Sequence, residues 1–316
     1  MLNRRHLRIK LLHILYAYKQ GSFPNKATAE RELMESLNKF RELYFYLLSL
    51  FGDVHHAATM KMEDGKKKKL PTEEDLNPNT RLINNPVLVF LNENRDIKNN
   101  KDHFKIDVWS EEQELIRHLL RISFENPIFL EYMQAPKTDF AKDKTALVHV
   151  FRKVWINDEK LQFFLEEKSI LWTDDLDLAA SMVIKTLKAV EESDDEFKTM
   201  LPLFRDELED KDYFLNMFRK AIDDWDKHVA WISDITPNWE SDRIALIDML
   251  LLNLAITEAR YCKDIPTKVT INEFIEISKF YSTENSKTFL NGVLDKLFQQ
   301  LKTEGEIKKI GRGLIE

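Results

Sequence analysis

The sequence predicts an all-α fold, on three observations. Seven glycines and nine prolines in 316 residues fall below half their usual combined share of roughly 12%, so the turn chemistry of β-hairpins is scarce. Apolar side chains, 43% of the chain, recur at three- and four-residue spacing and do not alternate. Helix-stop residues then punctuate these runs: Gly21 and Pro24 after the first, Gly52 after the second, Gly305 after the last. The length suits two domains with a sizeable core.

In chain order, Leu7, Leu11, Ile14, Leu15 and Tyr18 form the stripe of a first helix. A second is predicted from about Ala27 to Phe51, through Leu33, Leu37, Phe40, Tyr44, Leu47 and Leu48. From Asp53 to about Val108 the periodicity gives way to Asn, Lys and Asp, which reads as a polar loop. The lysine run at 66–69 within it fits either a solvated tract or a diffuse phosphate contact. Ser110-Glu111-Glu112-Gln113 has the form of a capping box ahead of Leu115, Ile116, Leu119, Leu120 and Ile122.

Further helices are expected near 139–156, 158–168, 174–192 and 194–209, with Pro127, Pro136 and Pro202 at boundaries. Phe214, Phe218, Ala221, Trp225, Val229 and Ile232 then share one face before a break at Pro237. A nearly all-apolar helix follows over 242–260. Its longest apolar run, Ile244 to Ile256, contains Asp248 and Asn253 and falls short of the roughly 20 residues a bilayer demands, so no membrane segment is expected. Thr270-Ile271-Asn272-Glu273 reads as a second capping box, opening a helix with Phe274, Ile277, Phe280 and Tyr281. The last helix carries Phe289, Leu290, Val293, Leu294, Leu297 and Leu301.

Several chemistries lack their residues. No glycine lies between Gly65 and Gly292, which removes the phosphate-cradling loops of nucleotide-binding folds from that span. Cys262 is the single cysteine, so an intramolecular disulfide and any zinc site of several thiolates are excluded, and a reducing, cytoplasmic setting fits. The basic start leads into a run broken by His13 and flanked by Lys10 and Lys19, unlike a signal peptide. His55, His56, His103 and His118 are not completed by carboxylates at metal-ligand spacing. Asp206-Glu207 and Asp223-Asp224 suit exposed helix faces better than a catalytic dyad. No G-x-S-x-G elbow is present. No catalytic residue, cofactor or metal is expected.

The net charge of −7 hides a local feature: residues 1–20 carry no acid and hold Arg4, Arg5, Arg8, Lys10 and Lys19. On a helical wheel Arg5, Arg8, Tyr16 and Lys19 fall in a strip roughly 80° wide beside the apolar stripe. Guanidinium groups that hold phosphate beside a ring that stacks on an unpaired base describe a single-stranded RNA contact. The same strip fits a solvated face of an amphipathic helix. Gly292, inside a strong helix pattern, reads as a position of close backbone approach or, alternatively, ligand contact, and Asn291 as a buried or capping amide.

Asp264-Ile265-Pro266-x-Lys268-Val269-x-Ile271-Asn272-Glu273, then Ile277-Ser278-Lys279 and Phe289-x-Asn291-Gly292-Val293-Leu294-Asp295-Lys296, resembles in order and spacing the C-terminal signature of the bacterial transcription antitermination factor NusB family. Arg4-Arg5-x-x-Arg8 with Leu15-Tyr16 resembles that family's Arg-rich start, and Tyr213-Phe214 with the buried helix to Glu258 its middle. The resemblance covers about 1–50 and 205–303. It implies a NusB-like bundle of two subdomains, here split by a large helical insertion: 1–52 and 204–316 as the core, 53–203 as the insertion. The insertion is expected to pack on that core or offer a further partner surface.

The resemblance also implies a non-enzymatic role. Such a protein pairs with the small-subunit ribosomal protein NusE, binds the single-stranded boxA element of ribosomal RNA transcripts and acts with the transcription elongation complex. Carried over by position, its RNA surface uses Arg4, Arg5, Arg8, Tyr16, Asp264 and Lys268, to which the wheel adds Lys19. Two rivals are a helical interaction scaffold without RNA binding and the RNA-binding part of a ribosomal RNA cytosine methyltransferase. The second lacks a cofactor domain after the NusB-like part, where only residues 304–316 follow.

Overall fold

The computed structural model describes residues 1–236 and 244–314; among them the regular structure is helical and no strand is present. In order, the helices are α1 (Arg4–Lys19), α2 (Lys26–Lys66), α3 (Glu73–Leu76), α4 (Pro86–Glu93), α5 (Arg95–His103), α6 (Val108–Glu111), α7 (Gln113–Glu125), α8 (Pro127–Gln134) and α9 (Phe140–Val150). A π-turn over Phe151–Trp155 leads to α10 (Glu159–Lys168), α11 (Leu176–Ala189), α12 (Glu207–Asp223), α13 (Trp225–Ile235), α14 (Leu246–Tyr261), α15 (Thr267–Tyr281) and α16 (Ser286–Thr303). Pro237 and the start of the helix expected at 242 lie outside the described residues.

The chain divides into two compact units, one of residues 1–36 with 203–316 and one of 37–202, so the first division falls inside α2 and not after Gly52. In the first unit α14 is the axle. It is apolar on every side, and α1, α12, α13, α15 and α16 all pack on it. The buried Asp248 and Asn253 are satisfied by neighbouring helices and the turns between them. Asp248 accepts from the hydroxyls of Ser282 (2.6 Å) and Ser286 (2.8 Å), tying the end of α15 and the start of α16 to α14. Asn253 donates to the Ala221 carbonyl at 2.9 Å, so its Oδ1 accepts from Nδ1 of the fully buried His228 at 2.6 Å. Burial, first of all, pushes the His228 imidazole down to about 4, and it stays neutral. The stripe from Phe214 to Ile232 is carried by two helices that part at Asp224, not by one.

The second unit has its own aromatic core. Phe51 of α2 lies 5.4 Å from the Phe151 ring and 4.9 Å from Trp155; Tyr46 lies 5.0 Å from both Trp109 and Trp172. Each indole N–H finds an acceptor: Trp109 the Ser49 hydroxyl, Trp155 the Ser123 hydroxyl, Trp172 the Lys39 carbonyl. Gly52 does not end α2. It sits mid-helix where a Cβ would lie 2.9 Å from Asn92 Oδ1, so the missing side chain makes room for α4.

The span 53–108 is mostly helical and not one loop: irregular backbone is confined to 67–72, 77–85, Asn94 and 104–107. Two of its asparagines, a residue type that reads as a loop signal, are N-caps: Asn85 accepts from the Val87 and Leu88 amides ahead of Pro86 at the first helical position, and Asn94 accepts from the Ile97 amide. Ser110 forms no capping box. Its hydroxyl donates back to the Asp107 carbonyl, and α7 starts after Glu112 without a side-chain cap. Residues 194–209 are not a helix either until Glu207. Asp194 and Asp195 accept from the amides of Glu191 and Phe197, Asp96 from that of Met200, and Asn94 donates to the Lys198 carbonyl, so side chains satisfy this backbone in place of an i→i−4 ladder.

Candidate nucleic-acid interface

Glu258, near the C-terminal end of α14, has no exposed surface. A carboxylate so placed is costly unless its lone pairs are filled. Four donors fill them: Arg8 Nε at 2.7 Å and Nη2 at 3.0 Å, the Tyr213 hydroxyl at 2.6 Å and the Thr270 hydroxyl at 2.7 Å. They come from α1, α12 and α15, so one carboxylate ties three helices to α14. Burial, then the Glu258 charge, holds the Tyr213 phenol well above its usual range. Burial opposes the Arg8 charge, but Tyr213, Glu258 and Glu273 outweigh it and raise its pKa.

The capping box expected at Thr270–Glu273 is absent. The helix α15 begins earlier, at Thr267 behind Pro266, and both side chains are taken by tertiary partners. Glu273 receives Arg5 in a two-pronged contact at 2.9 and 2.8 Å, and Arg8 Nη1 at 3.3 Å. The Arg5 hydrogen bonds lower the Glu273 carboxyl below its usual range. Arg4 reaches α12 instead, pairing with Glu209 at 2.6 Å and Asp210 at 3.2 Å and covering the Tyr213 ring at 4.0 Å.

A second contact fixes the direction of α1 against α15: the rings of His13 and Tyr281 meet edge-on at 5.2 Å. The Arg5–Glu273 and His13–Tyr281 pairs are separated by equal stretches in each helix, so the two run parallel and in register. The exposed Asp264 and Lys268, at and before the first turn of α15, therefore share an end of the unit with Arg4 and Arg5. Tyr16 and Lys19 sit at the other end of α1, about 16 and 21 Å beyond Arg5 at 1.5 Å per residue. Tyr16 is 40% exposed; Lys19 lies with Nζ 3.6 Å from the Trp225 ring centroid, and burial lowers its pKa.

Arg4, Arg5, Arg8, Asp264 and Lys268 thus lie towards one end of the unit, and Tyr16 and Lys19 towards the other. Arg8 is 3% exposed and enclosed by carboxylates, so its place in the binding strip on the helical wheel is corrected to one inside the bundle. Arg5, 43% exposed, presents its outer edge to solvent. Glu258 escaped sequence reasoning, since nothing local marks it at the end of an apolar run. Gly292 and Asn291 are corrected as well: both are exposed, a Cβ on Gly292 would meet nothing within 4 Å, and the Asn291 amide donates to Asp295.

The sequence pattern of the NusB family matches residues 178–299, which include Tyr213, Glu258, Thr270 and Glu273. A transcription antitermination protein NusB of Salinibacter ruber is 39% identical over 142 residues, 43% of this chain and 89% of that protein. The chain belongs to the NusB family. Proteins of the same name from Chloroherpeton thalassium and Methylacidiphilum infernorum are 45% identical over 102 residues and 42% over 89. These alignments take in 32% and 26% of this chain, and 47% and 62% of those NusB proteins, so the chain spans about half the length of the first. No solved structure matches. Among the described residues no helix is long and apolar enough to cross a membrane.

Proposed function

We propose that this NusB-family chain is a transcription antitermination factor that binds boxA-type single-stranded RNA together with the ribosomal protein NusE and joins the transcription elongation complex. The observation that carries the RNA part is the parallel register of α1 and α15, which puts the exposed edge of Arg5 beside the end of the unit where Lys268 and Asp264 are exposed. Arg5 and Lys268 supply charge for phosphate oxygens, Asp264 accepts from a base amine, and Tyr16 offers a stacking ring to a strand that extends along α1. Arg4 and Lys19 border this path. Arg8 acts as a positioning residue: it holds Glu273, which in turn holds Arg5.

The paired state of Arg4, Arg5 and Arg8 favours one competing reading, a protein-interaction scaffold that has no RNA contact. A salt titration separates the two. With three to five phosphates neutralised, log affinity for boxA-type RNA falls against log salt with a slope of roughly −2 to −3.5. Arg5→Gln and Lys268→Gln each reduce it. A slope near zero leaves the scaffold.

A further inference from the structure

Beyond α16 the chain turns back and lies on the loop that precedes α15. The Ile310 amide donates to the Lys263 carbonyl at 3.0 Å, and Lys309 Nζ donates to the Cys262 carbonyl at 2.8 Å. Gly313 is packed so closely that a Cβ there would sit 2.0 Å from the same Lys263 carbonyl oxygen. A short turn over Gly311–Leu314, entered with Gly311 at φ +51°, fixes the end of this tail. The tail therefore lies on the loop, and these two adjoining segments carry Lys263, Lys308 and Arg312, with Lys268 in the first turn of the following helix.

Their side chains differ from the N-terminal arginines in one decisive respect. Lys263, Lys268, Lys308 and Arg312 are exposed and pair with no carboxylate among the described residues, whereas Arg4, Arg5 and Arg8 are all held by Glu or Asp. Among the described residues, the nearest acids of the tail are spoken for: Glu306 is bound by Lys227 and Arg260, and Glu304 accepts from Gln300. Asp264 is the remaining carboxylate of the loop. A cation that must leave a carboxylate to meet a phosphate gains little from the exchange; an unpaired one gains the full counterion-release term.

We infer that the tail is an RNA-binding element: Lys263, Lys308 and Arg312, continuing from Lys268, take the sugar-phosphate chain of the single-stranded RNA. This rests on the RNA-binding reading above and relocates most of its electrostatic grip from the N-terminal helix to the loop before α15 and to a tail that lies beyond the family-matched residues 178–299.

The test uses the full chain with fluorescein-labelled boxA-type RNA. In the variant Lys263→Gln/Lys308→Gln/Arg312→Gln, three lost phosphate contacts reduce the steepness of the salt slope by about 2 and weaken binding about 100-fold at 0.1 M salt. Acetylation footprinting reads the same residues without substitution: RNA protects Lys263 and Lys308 and leaves Lys67, just past the end of α2, reactive. Binding by the triple variant with an unchanged slope, or equal acetylation of Lys308 with and without RNA, overturns the tail assignment and leaves the RNA reading standing. Absence of salt-dependent RNA binding by the unaltered chain overturns both, as does capture of an acidic peptide in preference to RNA.

Discussion

Replacing Glu258 with Gln isolates what the buried carboxylate does. The side chain keeps its shape, but one oxygen becomes an NH2 group, and each oxygen now accepts from one Arg8 N–H and one hydroxyl. The Tyr213 and Thr270 hydroxyls can rotate to accept from the new amide; an arginine N–H cannot. Whichever way the amide turns, one Arg8 N–H faces a donor and the guanidinium, 3% exposed, keeps only Glu273 at 3.3 Å as its counter-charge. Removing one partner of a buried pair costs about 3–5 kcal/mol. Hydrogen exchange of the α14 amides reads that loss as opening of the first unit alone. Adding Arg8→Met removes the stranded charge and recovers about 2 kcal/mol or more as coupling in the double-mutant cycle. A loss below about 1 kcal/mol in Glu258→Gln, or additive single effects, refutes the idea that this pair organises the bundle.

Other outcomes follow from the same geometry. The His228 imidazole is pushed down to about 4 by burial, from an unfolded value near 6.5; below 6.5 the unfolded chain takes a proton that the folded one refuses. Stability is therefore full above about pH 6.5 and declines by about 3 kcal/mol as pH falls towards 4, a slope that His228→Gln flattens in urea titrations across that window. Gly292→Ala adds a Cβ into open space on an exposed helix face and raises the stability of the first unit by about 1 kcal/mol by hydrogen exchange; a decrease contradicts the open surface. Gly313→Ala drives a Cβ onto the Lys263 carbonyl and lifts the tail, so RNA affinity falls as in the triple variant while the circular dichroism of the chain stays the same.

The apolar spacing of α1, α14 and α16 was enough to place these helices, because their burial follows from local periodicity. Polar residues mislead where their partners are distant in sequence. Thr270 and Glu273 look like a capping pair until Glu258 and Arg5 are brought against them, and the cationic strip of α1 looks solvated until its carboxylates are seen. Asn85 and Asn94 carry the same signal in a loop and at a helix start, so composition alone does not tell the two helices they open from a loop. Gly52 looks like a stop, but its role is set by Asn92, a residue of another helix. The tail cations had no periodicity to reveal them. Their importance depends on being unpaired, which is a property of the fold.

Where RNA lies is best decided by photo-crosslinking a 4-thiouridine boxA-type strand to the full chain with NusE and mapping the joined peptides. Adducts are expected within residues 1–20, 261–270 and 305–314, the segments of the first unit that carry the exposed Arg5, Tyr16, Lys268 and Arg312. Adducts confined to residues 37–202, with none on α1, the Cys262–Pro266 loop or the tail, contradict the assignment of this surface to RNA.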